Sequence, residues 1–262
     1  MSGTGRAERS NGGHGRLGSV LSGLAVAVGC VLFLGGFVWG AVEYRPYTVP
    51  TNSMDPTVKA GDRVLAQRIS GDEVRRGDVV VFKDADWANM PMVKRVVAVG
   101  GDKIACCDAD GRLTVNGTPV EEPYVRGMAG GRASTGGRAS TTDFDATVPE
   151  GKLFLLGDER SGSLDSRVHL EDAGQGSVPR SAVDARVDAV AWPLGGVIDR
   201  PAGFAALPGG VSGPGPVRWI VVAVVAGALL IFGGAAYGPV ARRFSKPRTG
   251  GGSGEGVSTG VR

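Results

Sequence analysis

The chain has 262 residues, 45 of them glycine, with 42% apolar residues; that length allows one large domain or two small ones, rich in turns. A formal net charge of +3, scattered and without aromatic residues interleaved among basic ones, leaves no footing for nucleic acid as a partner. Only three cysteines are present, and Cys106 and Cys107 are adjacent, which excludes spacing-based zinc motifs. In an extracytoplasmic domain this pair forms either a vicinal disulfide or two free thiols, and both readings stand. Cys30 lies in the first apolar segment, where a small packing residue is expected.

Residues 1–16 are polar and Gly/Ser-rich and carry Arg6, Arg9 and Arg16 against Glu8, the composition of a disordered, positively charged tail. Residues 17–42 are apolar without a single charge, long enough for a membrane-spanning helix, for which about 20 residues suffice. A cleavable signal peptide competes, but an h-region holds only about 7–15 apolar residues, which favours an uncleaved anchor. A second run, residues 217–237, can span once more and is followed by Arg242, Arg243, Lys246 and Arg248. Basic residues at both chain ends then place both termini in the cytoplasm and residues 43–216 outside, as a two-pass protein of the plasma membrane. Trp39, Tyr44, Tyr47 and Trp219 fall at the outer ends of the two runs, as an aromatic belt would.

Between the runs the pattern is that of strands. Arg63–Ile69, Asp78–Lys83, Met92–Val99, Lys152–Leu156 and Arg186–Trp192 are short, rich in β-branched or apolar residues and punctuated by Gly, Asp and Pro. Asn116-Gly117 between Arg112–Val115 and Thr118–Glu121 predicts a type I′ hairpin. The expected fold class is mainly β: an antiparallel β-sheet domain over residues 43–199, with a small inserted subdomain at about 105–150, flanked by two transmembrane helices. Residues 130–135 read GGRAST and residues 136–141 repeat it, which suggests a mobile surface loop. Residues 200–216, rich in Pro and Gly, are expected to be a linker, and residues 238–262 a basic, disordered cytoplasmic tail. Residues 256–260 match G-x-S-x-G by chance, since no strand precedes them and no helix follows.

Pro50-Thr51-Asn52-Ser53-Met54-Asp55-Pro56 follows the first apolar run, and its prolines impose an extended or turn-like path. It is either a polar loop after an anchor or a rigid segment presenting Ser53 as a nucleophile. A nucleophilic serine needs a base. His14 lies in the tail, and nothing around His169 forms a triad pattern, so His169 is read as structural. No H-E-x-x-H, other metal spacing or S-x-x-K occurs. Lys94 is the remaining candidate: a period of two places it on one strand face with Met92, Val96 and Ala98. Burial there would lower its pKa and leave a neutral amine able to accept a proton. The competing reading is an edge lysine whose head reaches water. The third element, Gly157 to Arg167, is a polar, hydroxyl-rich loop after the apolar run Lys152–Leu156.

Ser53-Met54-Asp55-Pro56-Thr57 with Gly61-Asp62, then Gly77-Asp78-Val79-Val80-Val81-Phe82, then Lys94-Arg95-Val96-Val97 with Gly100-Gly101-Asp102, then Gly157-Asp158 through Ser163-Leu164-Asp165-Ser166-Arg167, resemble the successive boxes of type I signal peptidases. The match covers roughly residues 15–195, and only part of that family carries a second, C-terminal span. The resemblance implies a Ser-Lys dyad with Ser53 as nucleophile and Lys94 as general base, and Ser163 bonding and orienting Lys94. It further implies Thr51 as an oxyanion-hole donor and Asp165 with Arg167 as a supporting ion pair. Glu159 stands where the family usually has asparagine.

The implied activity is removal of N-terminal signal peptides from exported preproteins at A-x-A-like sites, through an acyl-enzyme and without metal or cofactor. Partners would be secretory preproteins, the lipid bilayer and the protein-export machinery. The few residues between Val42 and Ser53 hold the serine within about 35 Å of the outer bilayer surface, at the chain's reach of roughly 3.3–3.6 Å per residue. Tyr47, Val49, Pro50 and Val93 are the expected pocket walls for an extended peptide paired with a strand edge. Three alternatives stand: a signal-peptide-binding homologue that does not cleave, a self-cleaving Ser-Lys repressor, and a structural envelope protein.

Overall fold

The computed structural model describes residues 13–125 and 137–244, with side chains described over 18–125 and 137–237. Residues 1–12, the first GGRAST copy and the chain end with its G-x-S-x-G stretch lie outside the described residues. The chain divides into two units, residues 39–219 and the two ends together.

The end unit holds most of helix α1 (Gly13–Glu43) and most of helix α2 (Val217–Phe244). Over Gly18–Glu43 and Val217–Tyr237, with mean hydropathy 2.3 and 2.4, they are long and apolar enough to cross a membrane. The two helices touch where side chains vanish: a Cβ on Gly227 would stand 2.5 Å from the Phe33 nitrogen, so only glycine lets the backbones approach there. Ser22 Oγ donates to the Gly234 carbonyl at 3.1 Å across the same contact.

The other unit is antiparallel β. Its strands are β1 (Tyr44–Thr48), β2 (Arg63–Arg68), β3 (Val79–Phe82), β4 (Met92–Val99), β5 (Lys103–Cys106), β6 (Leu113–Val115), β7 (Thr118–Pro119), β8 (Phe144–Thr147), β9 (Lys152–Leu156), β10 (Val178–Pro179), β11 (Val183–Trp192) and β12 (Gly196–Val197). The larger sheet runs β1-β2-β11-β3-β4-β9-β10, with β12 paired to β11; the smaller runs β7-β6-β5-β8. Strand β3 (VVVF) is buried on both faces, which is why its apolar residues run without alternation. Val80, Phe82, Val96 and Leu155 pack on one side of the sheet. Val49, Met54, Val64 and Val187 form a second core, and Val97, Ile104, Leu113 and Phe154 a third that reaches the smaller sheet. A register shift between Val96 and Ala98 against β9 places Ala98 in this third core, off the face shared by Met92 and Val96 that simple alternation predicts.

Asn116 and Gly117 have φ of 53° and 77°, the type I′ geometry expected of the hairpin. Cys106 and Cys107 are joined as a vicinal disulfide. His169 stacks on Trp87 at 4.7 Å and meets Asp172 at 2.8 Å, a structural placement as expected.

Three expectations are corrected. The second GGRAST copy is not a plain surface loop: Ala139 and Ser140 are fully buried, and the Ala139 backbone donates to Gly111 and accepts from the Arg160 guanidinium. Small side chains that cannot build a core can still be packed into one. The stretch 200–216 is no free linker, because Phe204 and Leu207 are buried in the third core and Arg200 pairs with Asp78 and Asp188. Of the expected aromatic belt, Tyr44 is instead buried with its hydroxyl on Asp188 at 2.8 Å, and Tyr47 packs on the second core; Trp39 and Trp219 are exposed.

Candidate active site

Strand β4 lies between β3 and β9; Lys94 pairs with Val80 of β3, and the ladder to β9 begins one residue on, at Arg95 with Leu156. Ser53 comes from the loop joining β1 and β2. That loop is closed at its base by Val49 N–H to Asp62 O (2.9 Å) and Gly61 N–H to Val49 O (2.8 Å), and tightened by Asp55 N–H to Asn52 O and Val58 N–H to Met54 O. Met54, fully buried in the second core, anchors the residue next to the serine. Alternation of buried and presented residues around a tight turn is what lifts Ser53 toward β4.

The Lys94 amine donates to Ser53 Oγ at 2.9 Å and to the Val93 carbonyl at 3.3 Å. Lys94 is 5% exposed, and burial pulls its pKa below the ordinary lysine range, against the opposing charges of Asp165 and Asp158. Those carboxylates are themselves compensated. Arg95 grips Asp158 through two bonds of 2.8 and 2.7 Å, and Arg167 grips Asp165 through two of 2.9 and 2.8 Å. With each negative charge held by its own guanidinium, desolvation dominates at the lysine. The arrangement can therefore hold a neutral amine beside a hydroxyl, as general-base catalysis requires.

A site that used Lys94 as its base would need that amine deprotonated. Proteolytic kcat/KM should accordingly fall as pH drops through the Lys94 pKa, with its acid limb at lower pH than an ordinary lysine would impose; a limb at the free-lysine value, about 10.4, would contradict this. The stability linkage has a definite sign as well. Between the folded and unfolded pKa values the unfolded chain binds more protons at this residue, so Lys94 makes stability rise with pH across that window.

Thr51 Oγ1 lies 3.3 Å from Ser53 Oγ, close enough to serve the same centre. Asp165 and Arg167 form the expected pair: Asp165 also accepts from the Gly157 N–H at 3.0 Å, and Arg167 donates to the Arg160 carbonyl at 2.9 Å, so they tie both ends of the 157–167 loop. Ser163 departs from expectation. Its hydroxyl is buried and makes no hydrogen bond among the described residues, while the lysine donates to Ser53 and Val93. It is wedged against Gly157, where a Cβ would stand 2.1 Å from Ser163 Oγ and 2.5 Å from the Ser53 carbonyl oxygen. Gly157→Ala must therefore push both serines aside, and kcat/KM should fall by about 10²-fold, the scale of a 1 Å misplacement. Full activity in that variant would show that this contact does not govern the site.

Ser53 and Lys94 open into a cleft of about 490 Å³ lined by Val49, Pro50 and Val93, three of the expected walls, and also by Thr51. Tyr47 does not line it, because its ring is turned into the second core. The walls that sequence reasoning missed are Ala88, Met90, Pro91, Met92 and Leu164. Met90 and Leu164 are 56% and 75% exposed, apolar side chains left in water at the rim. The only signal for them was an apolar residue inside an otherwise polar loop. No group of His, Cys, Asp and Glu among the described residues is placed to hold a metal ion.

The family described as signal peptidase, peptidase S26, matches residues 19–192. The chain is 32% identical over 199 residues to the probable signal peptidase I of Mycobacterium leprae, covering 57% of this chain and 68% of that protein. It is 35% identical over 164 residues to signal peptidase I of Bacillus licheniformis, covering 61% and 83%. A signal peptidase I structure from Enterococcus faecalis V583 aligns with 43% of this chain and 94% of that one, at 27% identity and a TM-score of 0.33. With most of its length matched by the family and its relatives at this identity, the chain belongs to the signal peptidases of family S26 and is a serine endopeptidase.

Proposed function

We propose that the protein removes N-terminal signal peptides from exported preproteins at A-x-A-like sites by Ser-Lys dyad chemistry. The observation that carries this is the buried Lys94 amine 2.9 Å from Ser53 Oγ, at the base of an apolar cleft. Ser53 Oγ attacks the scissile carbonyl as Lys94 takes its proton. The tetrahedral oxyanion meets the Ser53 N–H and, after rotation away from Ser53 Oγ, the Thr51 hydroxyl. Lys94 then passes its proton to the leaving amine, releasing the mature chain and leaving the signal peptide as an ester on Ser53. Water, deprotonated by the same amine, hydrolyses that ester. The chain's own groups complete the cycle without a cofactor.

The walls of Val49, Val93, Met92 and Leu164 suit small apolar side chains, and an extended peptide alongside β4 would gain affinity from backbone pairing. In this reading α1 and α2 anchor the protein in the plasma membrane with both termini cytoplasmic and residues 43–216 outside. The test is conversion of a preprotein to its mature form in detergent by wild type and by Ser53→Ala. Loss of conversion in a folded Ser53→Ala protein is expected. Equal conversion by both would reject the dyad, and no conversion by wild type would favour a signal-peptide-binding homologue.

A further inference from the structure

The cleft holds two ionisable side chains among the described residues, Lys94 and Glu159. Lys94 acts as a neutral amine, so Glu159 supplies the formal charge of the working cleft. Three nearby carboxylates are compensated: Asp158 by Arg95, Asp165 by Arg167 and Glu122 by Arg160. Glu159 forms no ion pair among the described residues. Its carboxylate accepts from Ser161 Oγ and the Gly162 N–H, neutral donors that hold the group in place without cancelling its charge. Its backbone N–H donates to the Ser53 carbonyl at 3.1 Å, which fixes it beside the nucleophile. Its side chain lines the cleft that Ser53 and Lys94 open into.

We propose that Glu159 is a specificity-determining residue, favouring substrates that bring a lysine or arginine side chain beside the scissile bond and rejecting acidic ones. This rests on the proteolytic reading above. A half-buried, uncompensated charge at the wall of a cleft acts with an effective dielectric between water and protein interior, so the preference should be about fivefold for lysine over glutamine and similar for glutamine over glutamate at one position. Charge attraction of this kind is weakened by salt.

The test uses the full-length protein in detergent and peptides spanning an A-x-A site, identical except for Lys, Gln or Glu scanned through the positions flanking the cleaved bond. Wild type should show at least one position where the Lys peptide exceeds the Glu peptide by about tenfold or more in kcat/KM, shrinking at high salt. Glu159→Gln should collapse that ratio toward unity, while Glu159→Asp retains part of it. A ratio unchanged in Glu159→Gln, or a loss shared equally by Lys, Gln and Glu peptides, would overturn the proposal and leave Glu159 as a turn acceptor alone. No Ser53-dependent cleavage of any peptide would instead overturn the proteolytic reading, a failure separable from this one.

Discussion

Lys94→Met should lower kcat/KM by at least about 10⁴-fold and leave the protein folded, because the variant removes the proposed base but keeps the volume of its side chain. The fold should tolerate the change unusually well. A buried amine carries a desolvation cost that methionine does not, so Lys94→Met should melt no lower than wild type below the unfolded lysine pKa of about 10.4. Lys94→Arg should be just as inactive, since a guanidinium stays protonated at any working pH. Thermal melts and preprotein cleavage measured on the same samples check the pair of claims. Activity near wild type in Lys94→Met, or inactivity arising only through unfolding, would remove the lysine from the mechanism.

Arg95→Met is the second large effect, and it acts on the scaffold. Arg95 holds Asp158 through two bonds, donates to the Gly77 carbonyl at 2.8 Å and lies 3.9 Å from the centre of the Tyr124 ring, with both Arg95 and Asp158 buried. Removing the guanidinium leaves a buried, unpaired carboxylate, which costs about 3–5 kcal/mol. For a domain of this size each kcal/mol lowers Tm by about 2–4 °C, so the melting temperature should fall by about 6–20 °C. Adding Asp158→Asn to that variant removes the stranded charge and should restore part of the loss. The single variant carries a second signature. An uncompensated Asp158 acts more strongly on Lys94 and raises its pKa, so the acid limb of activity should move to higher pH. A melting temperature equal to wild type would mean that water reaches Asp158 and that the pair is not a buried clasp.

The parts of the molecule legible in sequence were those whose signal is local and periodic. The strand around Lys94, the Asn116-Gly117 turn and the two long apolar helices follow from alternation, left-handed turn residues and length. The residues around Ser53 and Lys94 became informative through their order along the chain, and the structure brings those two side chains within hydrogen-bonding distance. What stayed hidden depended on tertiary context. Phe204 and Leu207 looked like isolated apolar residues in a Pro/Gly stretch, yet they complete a core assembled from distant strands. Tyr44 and Tyr47 matched a membrane-interface pattern, but an internal aspartate and an apolar core claim them. Ala88, Met90 and Pro91 reach the cleft only because the chain between β3 and β4 turns back over it. Ser163 could be expected near the site, while its hydrogen bonding depends on how closely Gly157 lets it approach.

Ser53 and Lys94 are mounted on supports of unequal stiffness. Lys94 sits on an interior strand of the sheet, paired to Val80 of β3, whereas Ser53 lies in a loop that belongs to no strand and is pinned by Met54 and Val58 in the second core. Amide exchange near the lysine should therefore track global opening of the domain, while residues 50–57 exchange through local excursions. Warming then parts the centre from the serine side first, and an inhibitor that acylates Ser53 quiets the loop without altering the strand. Hardening that loop is the more direct route to a heat-tolerant form of this enzyme.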